Sequence, residues 1–476
     1  MDALPAGLDP RLRARAEAGA AWVLGQRAAG RTVTVVHHID ADGVASGAIA
    51  AEALARAQVP FLLQPVKSLD AYHVERVQGL APEALWFCDL GSTAYMHFPA
   101  LPRLVCDHHQ LVRDGSEESF AHVNPLLDGL SGEEISGAGC AYLVAAALDP
   151  ANIALLPLAL VGATGDLQDR KLGRFTGSNA ALLALGKEIG LLEQRTDLAW
   201  FGTETRPLRK FLHLASGPEV PGISRDGRSA ERLLAAWGVE LEGDAKGWTG
   251  LSEDARRTVR SRIVEHLIDC GLARRVGQLF REVVTIRAEA VGSPTRELQE
   301  FGTLLNGTAR YDRPEVGLAV ARGDRGAAYQ EALSLLLDHR RHLAGALDAF
   351  AQAGVQERAA VQWVHLQDRV RDTVVGIVCG MALDGLGLRR DMAVVGFAWT
   401  PDGRTKVSAR APHELQGRGI DLATALREAA AAVGGQGGGH KGAAGATIPR
   451  QSEDTFLLHL DALVAAQVGV AVVPPC

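Results

Sequence analysis

The stretch His38-Ile39-Asp40-Ala41-Asp42-Gly43 comes just after the apolar run VTVV at 33–36, and it predicts where a first strand ends. The run is typical of a buried strand, and side chains at alternate positions of an extended segment point the same way. The imidazole of His38 and the carboxylates of Asp40 and Asp42 are therefore expected to converge. Without a cation they would be desolvated groups, two of them of like charge, which is costly. The alternative interpretation is an ordinary turn with a helix N-cap, because Asp-Gly is a common turn pair.

Three further apolar segments near the N-terminus also end in polar side chains. Asp89 follows one strand-like run, Asp107-His108-His109 follows another, and Asp166 follows an apolar helix. Taken alone, Asp89 would equally suit a helix cap. Strand-like runs that alternate with helical segments predict an α/β fold with a doubly wound parallel sheet, whose ligands bind at the carboxyl ends of the strands. Together, these polar side chains predict one site at that edge of the sheet.

The composition is that of a globular protein with more than one domain. The 476 residues are 47% hydrophobic and 22% charged, and the net charge of −7 argues against a uniformly basic surface for nucleic acid. A local basic groove is compatible with that charge. The six cysteines form no CxxC pair, which favours a reducing cytoplasm. No apolar run approaches the ~20 residues of a membrane span, and the N-terminus lacks a signal-peptide pattern, so we expect a cytoplasmic protein without a membrane partner.

Changes in composition along the chain predict three regions. Residues 1–200 would form the metal-binding domain with the doubly wound sheet. Residues 201–350 are charged and mostly helical in pattern, and they would form a linker or an inserted region. Residues 351–476 return to strand-like runs and carry a glycine cluster. They would form a smaller α/β domain across a cleft from the first.

The polar groups after the apolar runs indicate the kind of metal site. Five carboxylates and up to three imidazoles are too many for a closed four-ligand zinc site. They suit two cations a few ångströms apart, with one bridging carboxylate and open positions for water and substrate. Histidine and carboxylate ligands without thiolate favour Mn²⁺ or Mg²⁺, while zinc and iron stay compatible. Such a pair activates water for the hydrolysis of phosphoric esters or anhydrides.

Five motifs occur in the order in which a known family carries them. His38-x-Asp40-x-Asp42-Gly43, Asp89, Asp107-His108-His109 and Gly165-Asp166 resemble the four motifs of the DHH phosphoesterase superfamily. The glycine-rich stretch 437–445 resembles the signature of the DHH-associated domain. The whole arrangement most resembles the archaeal-type RecJ-like exonucleases. Four shorter segments are similar to parts of that subgroup: Asn124-Pro125, Ser136-Gly137-Ala138-Gly139, Pro221-Gly222-Ile223 and Leu304-Leu305-Asn306.

The resemblance implies which positions bind metal. His38 and Asp40 would bind one cation, and Asp42 and His108 would bind the other. Asp89 would bridge the two cations. The cofactors implied are therefore two divalent cations, with Mn²⁺ preferred and Mg²⁺ as the alternative.

Three more residues complete the site that the resemblance implies. Asp166 would complete the ligands of the first cation. Asp107 would orient a histidine, a role that carboxylates near metal sites commonly fill. His109 would contact the scissile phosphate and donate a proton to the leaving oxygen.

The last region carries residues that suit the binding of a phosphate chain. Ser408 and Arg410 follow a strand, and the guanidinium can hold a phosphate. The glycines of the cluster let backbone N–H groups approach an anion closely, and the histidine that follows adds a donor. These positions are Gly437, Gly438, Gly439 and His440. A flexible loop is the alternative interpretation of the glycine run.

The resemblance implies a two-metal phosphodiesterase of the RecJ-like exonuclease kind, which hydrolyses single-stranded DNA or RNA to 5′-mononucleotides. One alternative keeps the chemistry and limits the substrate to short oligonucleotides or cyclic dinucleotides, as in a nanoRNase. A second alternative is a non-catalytic replication scaffold. The filled ligand positions argue against the scaffold, because converging carboxylates are costly without a cation. The middle region could dock a replication or repair protein.

Overall fold

The protein is described by a computed structural model for residues 3–112, 115, 119–215, 217–224, 227–238 and 247–470. The chain divides into two compact units, Met1–Leu335 and Leu336–Cys476. Among these residues, none of the helices combines the length and the hydropathy of a membrane-spanning segment.

A five-stranded parallel sheet forms the centre of the N-terminal unit. Its strands are β1 (Val33–His38), β2 (Phe61–Val66), β3 (Ala84–Cys88), β4 (Arg103–Cys106) and β5 (Ala121–Val123). Their order is β2-β1-β3-β4-β5, and every neighbouring pair is parallel. All residues of β3 are buried, and so are all of β1 except His38, as in a sheet covered on both faces. The predicted parallel sheet is confirmed.

Among the described residues, six α-helices lie in the same part of the chain as this sheet, and small residues let one of them pack closely on it. They are α1 (Pro10–Ala28), α2 (Ala41–Arg56), α3 (Ala71–Gly79), α4 (Gly137–Leu148), α5 (Leu156–Gly165) and α6 (Gly177–Glu188). In α2, a Cβ at Gly43 would lie 2.4 Å from the carbonyl oxygen of His38, so only glycine fits there. The turn from β1 into α2 is therefore tight, and it brings the first motif to the end of the sheet.

The middle of the chain is mostly helical, as predicted. Its helices are α7 (Leu208–His213), α8 (Gly227–Ala236), α9 (Glu253–Asp269), α10 (Leu298–Arg310), α11 (Pro314–Ala321) and α12 (Ala327–Ala353). Two antiparallel strands, β6 (Leu192–Leu198) and β7 (Phe280–Ile286), pair with each other. The buried aromatic residues Trp200, Phe211 and Trp248 lie in the core of residues 198–279. Helices α10 and α11 pack against α5 and α2, so this part of the middle region adjoins the parallel sheet domain.

The C-terminal unit is a six-stranded sheet with helices on both faces. Its strands are β8 (Gln356–Glu357), β9 (Val361–His365), β10 (Ala393–Trp399), β11 (Arg404–Arg410), β12 (Gln436–His440) and β13 (Ala443–Pro449), in the order β12-β13-β11-β10-β9-β8. Its helices are α13 (Val375–Gly385), α14 (His413–Gln416), α15 (Leu422–Ala432) and α16 (Glu453–Val468). One apolar core includes residues of α15 and α16, and a second includes residues of α13. The predicted smaller α/β region is confirmed, and the glycine run forms its edge strand β12 rather than a flexible loop.

Candidate metal centre

The first motif lies where β1 ends and α2 begins. His38 is the last residue of β1, Asp40 is the N-cap of α2, and Asp42 lies in the first turn of that helix. The carboxylate of Asp40 accepts a hydrogen bond of 3.0 Å from the N–H of Gly43, so the N-cap interpretation also holds. The expectation that alternation along one extended segment brings all three side chains to a single point is wrong. A strand-to-helix turn intervenes, and the three side chains divide between two ligand groups.

The first ligand group contains His38, Asp40 and Asp89. Their potential ligand atoms all lie within 4.8 Å of one another. His38 Nδ1 is 2.9 Å from Asp40 Oδ2 and 3.4 Å from Asp89 Oδ2. Asp89 follows β3 with a φ of 62°, a left-handed conformation that aspartate tolerates better than most residues. This turn directs its buried carboxylate toward His38.

The second ligand group contains Asp42, Asp89, His108 and Asp166. The Nε2 atom of His108 lies 3.0 Å from Asp166 Oδ2, 3.4 Å from Asp89 Oδ1 and 3.8 Å from Asp42 Oδ2. The sequence resemblance implied that Asp166 belongs with His38 and Asp40. The structure places it in this second group instead, because the end of α5 faces His108.

Asp89 belongs to both groups, and also to a third possible group with His108 and His109. Its environment shows why a cation fits there. Both of its carboxylate oxygens are buried and make no well-aligned hydrogen bond among the described residues, and the nearest imidazole nitrogens, of His38 and His108, lie 3.4 Å away. Burial raises the pKa of Asp89 well above its usual value, and the charges of Asp42 and Asp40 raise it further. A divalent cation would supply the missing partner and offset this repulsion. The residues present therefore fit divalent cations.

The position of Asp42 is fixed by the N-terminus of α4. The fully buried carboxylate accepts hydrogen bonds from the N–H groups of Gly137 (2.7 Å) and Ala138 (2.9 Å). A Cβ at Gly162 would lie 2.2 Å from Asp42 Oδ1, and one at Gly137 would lie 2.6 Å from the Cα of Asp89. These glycines let α4 and α5 approach the carboxylates. The motif at 136–139 thus has a role that the sequence did not identify.

The two neighbouring histidines are held by different acceptors. His108 contacts the carbonyl oxygen of Gly132 through Nδ1 at 2.8 Å, and its Nε2 atom therefore faces the carboxylates. His109 contacts Asp107 Oδ1 through Nδ1 at 2.8 Å, and its side chain is 56% exposed. The hydrogen bond with Asp107 raises the pKa of His109 to about 9. Asp107 also accepts from the backbone N–H of Ser92 at 3.0 Å, so it orients His109 from a buried, fixed position.

Helix α10 adds two residues to the site for which the sequence assigned no role. The side-chain oxygen of Asn306 accepts a hydrogen bond of 2.9 Å from the N–H of Ala41, inside the first motif. Arg310 follows one turn later, and burial lowers its pKa while the charge of Asp40 acts in the opposite direction. The segment 304–306 was noted only as part of the resemblance. Asn306 lies 265 residues after Ala41, so no local pattern reveals the contact.

In the C-terminal unit, the predicted phosphate-binding residues lie in one sheet. Ser408 and Arg410 lie at alternate positions of β11, where a Cβ at Gly376 of α13 would be 3.2 Å from Ser408 Oγ and 2.7 Å from Arg410 Nη2. Across the intervening strand β13, Gly438 is aligned with Ser408, and His440 is aligned with Arg410. One strand lies between the two sets, so they share a face without direct pairing. Gly437 and Gly439 alternate with Gly438 along the same edge strand.

Two family models match parts of the chain. A DHH-CID domain model matches residues 200–279, and a DHHA1 domain model matches residues 356–466. An uncharacterized protein of Methanocaldococcus jannaschii is 23% identical over 448 residues, which are 92% of this chain and 94% of that protein.

Solved structures share the architecture. RecJ from Thermus thermophilus in complex with Mn²⁺ has a TM-score of 0.56 at 19% identity. The match covers 95% of this chain but only 55% of the length of that RecJ. An exonuclease RecJ bound to manganese has the same TM-score and identity over 98% of this chain and 96% of that one. CDC45 from Entamoeba histolytica has a TM-score of 0.64 at 9% identity, over 94% and 99% of the two chains. The chain therefore carries a DHH-CID domain and a DHHA1 domain on a RecJ-like fold.

Proposed function

We propose that the protein is a two-metal phosphodiesterase, a RecJ-like exonuclease that hydrolyses single-stranded DNA or RNA to 5′-mononucleotides. The observation that carries this proposal is the position of Asp89, which belongs to a ligand group on either side. A carboxylate between two sets of ligands is the arrangement that bridges a pair of cations in phosphoryl-transfer sites. The DHH superfamily is a family of phosphoesterases, and RecJ structures of the same fold hold Mn²⁺ or Mg²⁺.

The ligands form two sets, one for each cation. His38 and Asp40 would bind one cation with Asp89, and His108 and Asp166 would bind the other with the same carboxylate. Asp42 joins the second group while α4 holds its orientation. Bound divalent cations supply a water of lowered pKa and stabilise charge on the phosphoryl oxygens. Imidazole and carboxylate ligands suit Mn²⁺, with Mg²⁺ as the alternative.

His109, oriented by Asp107, would protonate the leaving group. The bond between His109 Nδ1 and Asp107 leaves Nε2 as the nitrogen that can reach substrate, and more than half of this side chain is exposed. His109 Nε2 would donate its proton to the leaving oxygen as the phosphodiester bond breaks. Asp107 would keep the imidazole oriented through the step.

The C-terminal unit would bind the phosphate chain of a polymer. Arg410 lies with Ser408 and Lys406 at alternate positions of β11, a row of polar side chains on one face. Burial lowers the pKa values of both Lys406 and Arg410, so each would gain from the approach of an anion. The exposed edge strand β12 adds His440 and glycine backbone to the same face. This arrangement supports a substrate with several phosphates.

A second candidate function is a non-catalytic replication scaffold. The similarity to the fold of CDC45 points to this alternative. The crowded carboxylates argue for the catalytic function, because a scaffold gains nothing from burying Asp42 and Asp89 beside each other. A nanoRNase-like preference for short substrates keeps the same chemistry.

Hydrolysis of end-labelled strands tests the proposal. Single strands of DNA and RNA, long and two to five nucleotides in length, would be incubated with Mn²⁺ or with EDTA. We expect stepwise shortening of long strands by the wild type, none by Asp89→Asn, and wild-type activity for Asp254→Asn, a matched control with an exposed side chain on α9. Cleavage of the short substrates alone would favour the nanoRNase alternative. No cleavage of any substrate would favour the scaffold.

A further inference from the structure

A hydrogen-bonded pair of amide side chains lies directly behind the second ligand group. Gln168 is half-buried in the turn after α5, two residues beyond Asp166. Its Nε2 donates to the carbonyl oxygens of Gly132 (3.0 Å) and Ile135 (3.3 Å). Its Oε1 accepts a hydrogen bond of 2.6 Å from Nδ2 of the fully buried Asn179 on α6.

The segment 132–135 connects this pair to two other ligands of the group. The carbonyl oxygen of Gly132, which accepts from Gln168, is also the acceptor that orients His108 at 2.8 Å. Ile135 leads directly into α4, whose N–H groups hold Asp42. The N–H of Asn179 also donates to the carbonyl oxygen of Glu134 at 2.9 Å. The segment is therefore tied to α6 and to the turn that carries Asp166.

We infer that Gln168 and Asn179 are positioning residues that set the geometry of the second metal site. The amide of Gln168 is connected to three ligands on separate elements. It shares the acceptor Gly132 with His108, it bonds the residue that leads into the helix holding Asp42, and it lies in the same turn as Asp166. Asn179 fixes which end of the Gln168 amide faces the carbonyl groups, because Nδ2 can only donate. The inference rests on the metal centre of the proposed function, but not on its substrate.

Substitutions of Gln168 separate hydrogen bonding from packing and from charge. Gln168→Met keeps the length of the side chain and removes both donors. Gln168→Glu keeps the shape and the acceptor for Asn179, but it places a carboxylate against two carbonyl oxygens. A simple charge effect would make Gln168→Glu bind a cation more tightly, whereas loss of positioning would weaken the binding. The control is Gln78→Met, which removes an amide-to-carbonyl bond of 3.1 Å to His97 on the exposed end of α3.

Titration of the full-length protein with Mn²⁺, followed by calorimetry and by electron paramagnetic resonance, gives the readout. We expect wild type and Gln78→Met to bind two ions alike. In both Gln168 variants one ion should bind on the order of 10–100-fold more weakly, while the other keeps its wild-type affinity. Circular dichroism verifies that each variant is folded.

Wild-type affinity for both ions in Gln168→Met, or tighter binding in Gln168→Glu, would overturn the inference and leave the proposed function intact. Failure of the wild type to bind Mn²⁺ at all would overturn both. Because the readout is binding rather than hydrolysis, a protein with an unexpected substrate gives the same answer.

Discussion

The carboxylate of Asp42 accepts a hydrogen bond of 2.7 Å from the backbone N–H of Gly137, so a helix from one part of the sheet domain holds a ligand from another. The N-terminus of α4 favours negative charge there, and the bond removes an orphan donor of the helix. The same glycine lies against Asp89, where a Cβ would come within 2.6 Å of its Cα. One small residue thus sets the distance between two carboxylates that share a site.

Gly137→Ala should therefore disrupt the centre. The new methyl group has to displace Asp89 or α4, and we expect both weaker Mn²⁺ binding and a lower midpoint of thermal unfolding in the presence of the metal. Gly25→Ala on α1 is the matched control, since a Cβ there meets nothing within 4 Å. That control should gain roughly 0.5–1 kcal/mol of stability, as alanine does over glycine in an exposed helix. Equal Mn²⁺ affinities for the two variants would contradict the close approach.

His109→Gln should separate metal binding from hydrolysis. His109 lies in a third possible ligand group with Asp89 and His108, but its Nδ1 contacts Asp107. We therefore expect Mn²⁺ binding to persist while kcat falls by about 10²–10⁴, the range typical of a lost general acid. Single-turnover kinetics on a labelled strand measure the effect, and His459→Gln, at an exposed position of α16, is the control. A rise in KM with an unchanged kcat would assign His109 to substrate binding instead.

Arg410→Ala should weaken binding of the strand and leave the chemistry intact. The guanidinium has lost hydration through burial, so we expect KM to rise and kcat to change little. If Arg410 contacts one phosphate, the slope of log affinity against log salt should fall in magnitude by about 0.7 for a single strand. Arg389→Ala, which breaks only exposed pairs with Glu357 and Asp391, should change neither quantity. An unchanged salt slope for Arg410→Ala would remove this residue from the binding face.

Glu300 should make stability depend on pH. Burial and the charge of Glu297 together raise the pKa of this glutamate to about 7, although its oxygens accept hydrogen bonds from the N–H of Glu204 (2.7 Å) and from Thr205. Between the usual value of 4.5 and about 7, the folded state retains a proton that the unfolded chain has released. The free energy of unfolding should thus fall as pH rises through that window, by at most on the order of 3 kcal/mol.

Glu300→Gln mimics the protonated side chain and should flatten this dependence. Denaturant midpoints of the wild type and the variant, measured from pH 4.5 to 8 without metal, give the comparison. Their difference should be small at the acid end and should favour the variant at the alkaline end. Parallel curves would show that Glu300 is ionised throughout.

Local patterns predicted the parallel sheet well. The strand-like runs at 33–36 and 85–88 lie within β1 and β3, and the run at 103–106 coincides with β4. Polar residues follow each of these runs. In such a sheet the carboxyl ends of neighbouring strands meet at one edge, so the convergence of His38, Asp89 and His108 followed from topology.

Features that depend on tertiary packing were not predictable in this way. Asp166 ends a helix, and only the packing of α5 shows that it faces His108 rather than His38. The contacts of Asn306 and Gln168 join segments that are distant in sequence or are made through backbone carbonyl oxygens, which leave no residue pattern. The glycine run was ambiguous between a loop and a strand, because glycine suits both, and its pairing with β13 decided the outcome.

The most direct test of the central claim is a crystal structure of the protein grown with Mn²⁺, with anomalous scattering used to place the ions. Two peaks about 3.5–4 Å apart, one on each side of the Asp89 carboxylate, are the result we expect. One of them should contact His38 and Asp40, and the other His108 and Asp166. A single peak, or two peaks that do not share Asp89, would contradict a centre in which this carboxylate bridges two cations.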